Sequence, residues 1–275
     1  MKMIGFSNGV YVPTSEITFP VDSLAVNRGY GAYEFFGVHH RKPFYMDRHL
    51  ERLANSLKIL RLKTNYFPTI EQIVAALIQQ NPLPDFYIKL FVLPIHAASP
   101  QEMEGNLYIF PVVFPPFSND EFEKGLPLIS RNFTRFLPEA KSTAYLAGQY
   151  WQHEITQAGA LDVLFHTDGT VTETSRGNIF MMKNEKVFTP HVGMLKGITR
   201  SVVIDLIHLN GVEFEEKTIS LEELLLADEV MVTSTTKEVM PIIKIDNHTI
   251  GTGQPGLLSK WITQEFLLHK QNYCK

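Results

Sequence analysis

The chain has 275 residues, of which 44% are hydrophobic and 20% charged, so it can bury a core in one large or two smaller domains and is too apolar to be disordered. Its 25 basic and 29 acidic residues give a formal charge of -4 and are scattered along the chain, which argues against a nucleic-acid partner. The single cysteine, Cys274, excludes an intramolecular disulfide, sparse Cys/His spacing offers no metal site, and no run approaches the roughly 18 apolar residues of a membrane span. The opening residues lack the apolar stretch of a secretory signal, so the expectation is a cytoplasmic protein with no membrane partner.

Short alternating runs at 9–12 and 33–38 predict strands, and His40-Arg41-Lys42 a turn. Asp47 is placed to cap a first helix whose apolar stripe is Leu50, Leu53, Ala54, Leu57 and Leu60. Thr69 and Gln72 have capping-box spacing for a second helix through Ile73 and Leu77, followed by strands at 86–93 and 107–114. Pro115-Pro116-Phe117-Ser118-Asn119-Asp120 breaks both periodicities, the prolines favouring an extended connection and the polar residues a turn. The predicted organisation is therefore α+β, with a smaller N-terminal domain over 1–115, a linker over 116–120 and a larger C-terminal domain over 121–275.

The second part opens with a predicted helix over 143–158 that Gly159 ends in a left-handed conformation. Strands at 161–165 and 171–174 flank Asp168-Gly169, a hairpin signal, and strands at 179–182 and 187–189 flank a turn over 183–186. A helix after Thr199 carries Val203, Leu206 and Ile207 on one side and stops at Gly211; Ser220 and Glu223 cap a short helix, 229–234 is a strand and 257–269 a last helix. Gly251-Thr252-Gly253-Gln254-Pro255-Gly256 is glycine-rich but has neither the Gly-Lys-Ser/Thr ending of a P-loop nor the spacing of a dinucleotide fingerprint, and reads as a plain loop.

By itself Lys141, just before a helix, reads as a solvated surface lysine. Its company changes that reading: Gly31-Ala32-Tyr33-Glu34, His49-Leu50-Glu51-Arg52-Leu53, Lys141-Ser142, Thr172-Glu173 with Asn178-Ile179-Phe180, Leu195-Lys196-Gly197-Ile198-Thr199-Arg200 and Thr233-Ser234-Thr235-Thr236 stand in one order along nearly the whole chain. Together they resemble the class IV aminotransferases, pyridoxal-phosphate enzymes of fold type IV that include D-amino acid transaminases, branched-chain aminotransferases and aminodeoxychorismate lyases. The resemblance implies a two-domain fold type IV enzyme, commonly a homodimer, in which Lys141 holds pyridoxal 5'-phosphate as a Schiff base and moves the proton at the substrate α carbon. It implies that Glu173 pairs with the pyridine nitrogen, and that Arg52, Ile198, Thr199, Thr235 and Thr236 hold the phosphate. Tyr33 would line the substrate side.

The Thr233–Glu238 and Leu195–Arg200 segments are most similar to the D-amino acid transaminase versions, so the expected reaction exchanges an amino group between a D-amino acid and a 2-oxo acid. Branched-chain L-amino acid transamination and the lyase reaction are the alternatives. The D-selective members carry an Arg-x-His pair for the substrate carboxylate, whereas here Pro94-Ile95-His96 keeps the histidine without the arginine. Arg28 is the first replacement candidate and Lys237 the second, with His96 beside them and Lys89 and Arg135 further down.

Overall fold

Asn8 and Gly9 take positive φ and close a tight turn between strands Ile4–Ser7 and Val10–Pro13, the first elements of the chain. In the computed structural model, which describes residues 2–94 and 103–275, the chain divides into two compact units of mixed helix and sheet. One comprises Met1–Phe114, Ala140–Ala144 and Tyr273–Lys275; the other comprises Pro115–Glu139 and Tyr145–Asn272.

The first unit's sheet runs in the order Val10–Pro13, Ile4–Ser7, Met103–Val112, Phe86–Pro94, Ala32–His39 and Lys42–Pro43, all antiparallel, with Leu62–Lys63 parallel beside Met103–Val112. Alternation decides its faces: Ala32, Glu34, Phe36 and Val38 are buried with Phe86, Ile88, Leu90 and Val92, while Tyr33, Phe35, Lys89 and Phe91 are partly covered on the other side. The helices Met46–Ile59 and Ile70–Gln80 pack on this sheet. The first buries His49, Leu53, Ser56 and Leu57, so two polar side chains share the stripe that periodicity alone assigns to leucines, and Ala54 is exposed. Asp47 does not cap it: Tyr45, at φ 50°, is the N-cap, and Asp47 lies in the first turn, where its charge meets the positive end of the helix. Thr69 makes no capping box either, because its hydroxyl donates to the Tyr66 carbonyl within the preceding turn.

The second unit's sheet is ordered Thr170–Thr174, Asp162–Thr167, Leu126–Asn132, Glu238–Ile245, Glu229–Ser234, Asn178–Lys183, Lys186–Thr189 and Phe214–Glu216. An isolated bridge between Thr174 and Gly177 closes the turn from the first of these strands toward the sixth, and the sheet packs a core of Leu128, Leu164, Val171, Ile179, Val230, Val232, Met240 and Ile242. Burying each such side chain stabilises the fold by roughly 1.5–3 kcal/mol. Asp168 and Gly169, both at positive φ, form the predicted hairpin turn, and Ser220 Oγ accepts the Glu223 amide at 3.0 Å to cap Leu221–Leu225. Ser118 begins the helix Asn119–Lys124 through a full capping box with Glu121, where the sequence suggested only a turn.

The helix predicted over 143–158 is shorter and broken into Leu146–Tyr150 and Gln152–Gln157. Residues before it are extended because Ser142 bridges to Ala32 and the Thr143 amide donates to the Gly31 carbonyl at 2.9 Å. Trp151 interrupts it and packs on Phe133 and Phe165. Gly159 ends it at φ 57°, as its position predicted. No helix of the described residues is long and apolar enough to cross a membrane.

The glycine-rich loop has a packing reason. A Cβ on Gly251, at φ 52°, would lie 2.2 Å from the Asp228 carbonyl oxygen. Gly256 lets the Glu229 carboxylate reach the amides of Leu258 and Ser259, at 3.1 and 2.7 Å, at the start of helix Leu257–Tyr273. Gly251→Ala should therefore destabilise the fold by about 1–3 kcal/mol through the strained φ alone, with the backbone clash adding to it, read as a lower urea midpoint. Gly211→Ala, also at positive φ but with nothing within 4 Å, should lose less.

Candidate active site

Lys141 sits on a segment stitched to a strand edge. The Tyr33 amide donates to the Lys141 carbonyl at 3.0 Å, and the Lys141 amide donates to Ser56 Oγ at 3.0 Å. These bonds fix the backbone and deliver the side chain to Tyr33: Lys141 Nζ lies 3.2 Å from the phenol oxygen and 4.3 Å from the ring centroid. Phe91 stacks behind Tyr33 at 5.6 Å, which holds the phenol in place. A half-buried lysine amine against a tyrosine hydroxyl is a place for amine chemistry with a hydrogen-bonding partner at hand.

Beneath it the same strand buries Glu34, and helix Met46–Ile59 presents His49 and Arg52 to that carboxylate. Arg52 donates from Nε to Oε1 and from Nη2 to Oε2, each at 2.8 Å, and His49 Nδ1 lies 2.7 Å from Oε2. Burial works to raise the Glu34 pKa, but Arg52 and His49 outweigh it and hold the carboxyl well below the usual glutamate range. Burial, with Arg52 and Lys141 adding to it, pulls His49 below its ordinary value against the opposing pull of Glu34. His49 is thus a neutral donor that orients the acid, and the acid sets the plane of Arg52. Glu34 and His49 occur in the sequence patterns above, yet periodicity gave neither a role.

In the second unit Glu173 is buried on strand Thr170–Thr174. Arg135 Nε donates to its Oε1 at 2.7 Å, and the Leu195 amide donates to its Oε2 at 3.0 Å. Arg135, read from sequence as a remote candidate for a substrate carboxylate, is instead the partner of this acid. Asn178 organises the next segment: its amide nitrogen donates to the Leu195 carbonyl at 2.7 Å, and its oxygen accepts the Gly197 amide at 3.1 Å. A Cβ on Gly197 would fall 2.2 Å from that oxygen. Helix Ile198–Leu209 starts directly after, and its N-cap Gly197 supplies no side-chain cap to the first-turn amides of Ile198 and Thr199. Asn178 also pairs in register with Thr233 on strand Glu229–Ser234, which leads straight into the half-buried Thr235 and Thr236.

Lys237 departs from its expected use. It is buried, and its ammonium pairs with the fully buried Asp162 rather than facing a substrate. Taking Lys237 for a substrate carboxylate would strand that aspartate, so it is not retained as a clamp. Arg28 ends the short helix Leu24–Arg28, is exposed, and donates to the Asn27 carbonyl at 2.9 Å. Its helix end is tied toward Lys141, since Thr143 Oγ1 donates to the Gly29 carbonyl at 2.8 Å. Lys89 lies over the Phe114 ring at 5.5 Å. His96 falls outside the described residues.

Residues 31–245 match the model of the amino-transferase class IV family. The chain belongs to the class IV aminotransferases, a pyridoxal-phosphate-dependent family. It is 30% identical over 92% of its length to a D-alanine aminotransferase of Bacillus licheniformis, covering 92% of that protein. It is 29% identical to branched-chain-amino-acid aminotransferase-like protein 2 of Arabidopsis thaliana, over 94% of this chain and 49% of that one. A branched-chain amino acid aminotransferase of Thermobaculum terrenum, solved in its PLP form, superposes with a TM-score of 0.86 at 24% identity, covering 98% of this chain and 94% of that one. The fold of this aminotransferase is therefore the type IV fold anticipated from the sequence. Its residues are of the kinds the cofactor needs: a half-buried amine, a buried carboxylate, and an uncapped helix start that favours a dianion. Among the described residues no cluster of His, Cys, Asp and Glu could hold a metal ion.

Glu34→Gln in this aminotransferase should destabilise the protein by about 3–5 kcal/mol, because it leaves Arg52 without its buried counter-charge. Stability should also fall with acid. His49, depressed from 6.5, must gain a proton on unfolding as the pH falls below that value. Glu34, depressed from 4.5, adds to the decline as the pH falls below 4.5. Urea unfolding between pH 7 and 3 should show the steeper loss in the wild type and a shallower one below pH 4.5 in the variant.

Proposed function

We propose that this aminotransferase exchanges an amino group between a D-amino acid and a 2-oxo acid, with pyridoxal 5'-phosphate linked to Lys141. The observation that carries the cofactor assignment is the Lys141 amine held 3.2 Å from the Tyr33 hydroxyl by backbone bonds on either side of it. The D-preference is supported by the similarity to D-alanine aminotransferase along nearly the full length of both chains. Pyridoxal phosphate, when bound, supplies an aldehyde that captures amines and a ring that accepts the electron pair released at the substrate α carbon. Lys141 would hold that aldehyde and move the proton at the substrate α carbon, with the Tyr33 hydroxyl steadying its amine. Glu173, ion-paired to Arg135, is the partner of the ring nitrogen and favours its protonated form. The amides of Ile198 and Thr199, the hydroxyls of Thr235 and Thr236, and Arg52 as set by Glu34 receive the phosphate.

A second reading, branched-chain L-amino acid transamination, is favoured by the absence of an arginine two positions before His96 and by the similarity to a branched-chain-amino-acid aminotransferase-like protein. Both readings use Lys141 in the same way and differ in which hand of substrate reacts. A homodimer belongs to the proposal as well. Its support is a run of exposed apolar residues near the N-terminus, Val10, Tyr11, Phe19, Val21 and Val26, which a second copy can cover.

Borohydride reduction followed by peptide mapping should find the cofactor on Lys141, and Lys141→Ala should lose the visible absorption. A panel of D- and L-amino acids with pyruvate or 2-oxoglutarate as acceptor should give turnover with D-donors; turnover confined to branched L-donors would select the second reading.

Arg28 is assigned to the substrate carboxylate. A hydrogen bond to a charged group contributes about 1.5–3 kcal/mol, so Arg28→Ala should raise the donor concentration for half-reaction by roughly 10-fold to more than 100-fold. Its absorption spectrum without substrate should match that of the wild type. Single-turnover titration with a D-amino acid checks both.

A further inference from the structure

Strands Glu229–Ser234 and Glu238–Ile245 form a hairpin in which Ser234 pairs with Glu238. The connection is the three-residue loop Thr235, Thr236 and Lys237, closed by Glu238 at φ 52°. Three-residue loops of this kind fix the path of the chain but not the direction in which their side chains lean. Here one side chain turns inward: Lys237 is 4% exposed and meets Asp162, which is 0% exposed. Both oxygens of that aspartate also accept from the end of another strand. The Ser175 hydroxyl donates to Oδ1, and Thr174 Oγ1 donates to Oδ2 at 3.2 Å. The Val163 amide adds a bond to Oδ1 at 2.8 Å. Burial works to raise the Asp162 pKa, but Lys237, Ser175 and Arg176 outweigh it and hold it below the ordinary aspartate range.

Thr174 directly follows Glu173, and Lys237 directly follows Thr236. One buried ion pair therefore joins the strand that carries the ring-pairing carboxylate to the loop that carries the phosphate-binding hydroxyls. Breaking a buried pair from one side strands a charge, so the two ends cannot drift apart without a large penalty. Resting on the cofactor reading above, we propose that Lys237 and Asp162 are positioning residues for the phosphate end of the site, fixing the Thr235–Thr236 loop at a set distance from Glu173. Neither touches the cofactor in this role; both act through the residues beside them.

The test separates this role from general stability. Asp162→Asn combined with Lys237→Met removes both charges, keeps one oxygen to accept from Ser175 and Val163 while its NH2 can donate to Thr174 Oγ1, and fills the lysine's volume. The apo form of this double variant should melt close to the wild type, while its dissociation constant for pyridoxal phosphate rises about 10- to 100-fold. Pyridoxal, which lacks the phosphate, should bind both proteins within about threefold of each other. Asp162→Glu, which keeps the pair, should hold pyridoxal phosphate within about threefold of the wild type. Asp162→Asn alone gives the same comparison if the double variant does not fold, since an unpaired buried lysine can shed its proton. A folded charge-free variant that binds pyridoxal phosphate as tightly as the wild type would overturn the inference, as would equal weakening of pyridoxal and pyridoxal phosphate. A wild-type chain that binds pyridoxal but gains nothing from its phosphate would overturn this inference while leaving Lys141 in place. A wild-type chain that binds neither would overturn both readings.

Discussion

Backbone hydrogen bonds hold residues 140–144 on the strand that carries Tyr33, and the position of the Lys141 amine depends on them. Because Tyr33 and Lys141 share a main-chain bond, and Thr143 bonds back to Gly31, the position of the lysine does not rest on its own long side chain. A lysine side chain alone carries about 2 kcal/mol of rotamer entropy and would wander. Bridging the segment to the sheet also removes it from the helix that follows, so the same bonds that place Lys141 shorten its neighbour. Tyr33 then needs only its stacked partner Phe91 to meet the amine.

Within each unit the protein uses buried acids as joints. Glu34 takes Arg52, Glu173 takes Arg135, and Asp162 takes Lys237. In each case the carboxylate binds a cation and at least one further donor: His49 for Glu34, the Leu195 amide for Glu173, Ser175 and Thr174 for Asp162. Such pairs contribute little net stability over well-packed apolar residues. Their value is directional, since a carboxylate accepts along defined lone pairs and a leucine in its place would let the same segments slide.

The Asn178 amide has the same function without charge. Its side chain holds the Leu195–Gly197 turn, its backbone pairs with Thr233, and so the uncapped helix start and the threonine loop are built from one residue outward. Gly197 is required because a Cβ there would strike the amide oxygen. The conformational need for glycine and the need for an uncapped, anion-attracting helix end coincide at this position.

Local rules were legible from the chain alone where a single turn of backbone decides the outcome. Asp168-Gly169 closes its hairpin, Ser220 caps its helix, and Gly159 and Gly211 end theirs, because the determining φ or hydrogen bond lies within four residues. The ordered motifs around Lys141, Glu173 and Thr235 likewise identified the family and the fold. What periodicity misjudged was settled by the partners each group found in the fold. Thr69 has the right spacing for a capping box, yet its hydroxyl was already committed to the Tyr66 carbonyl. Thr143 reads as the start of a helix but bonds back to Gly31 and to Gly29, the latter 114 residues earlier. Lys237 reads as a loop cation facing substrate and is buried on an aspartate 75 residues away, while Arg135 finds Glu173 across 38 residues and Arg52 finds Glu34 across 18. A charge in a sequence carries no record of its partner, because the energy that selects the partner comes from removing both groups from water, and only the folded sheet decides which charges are buried together.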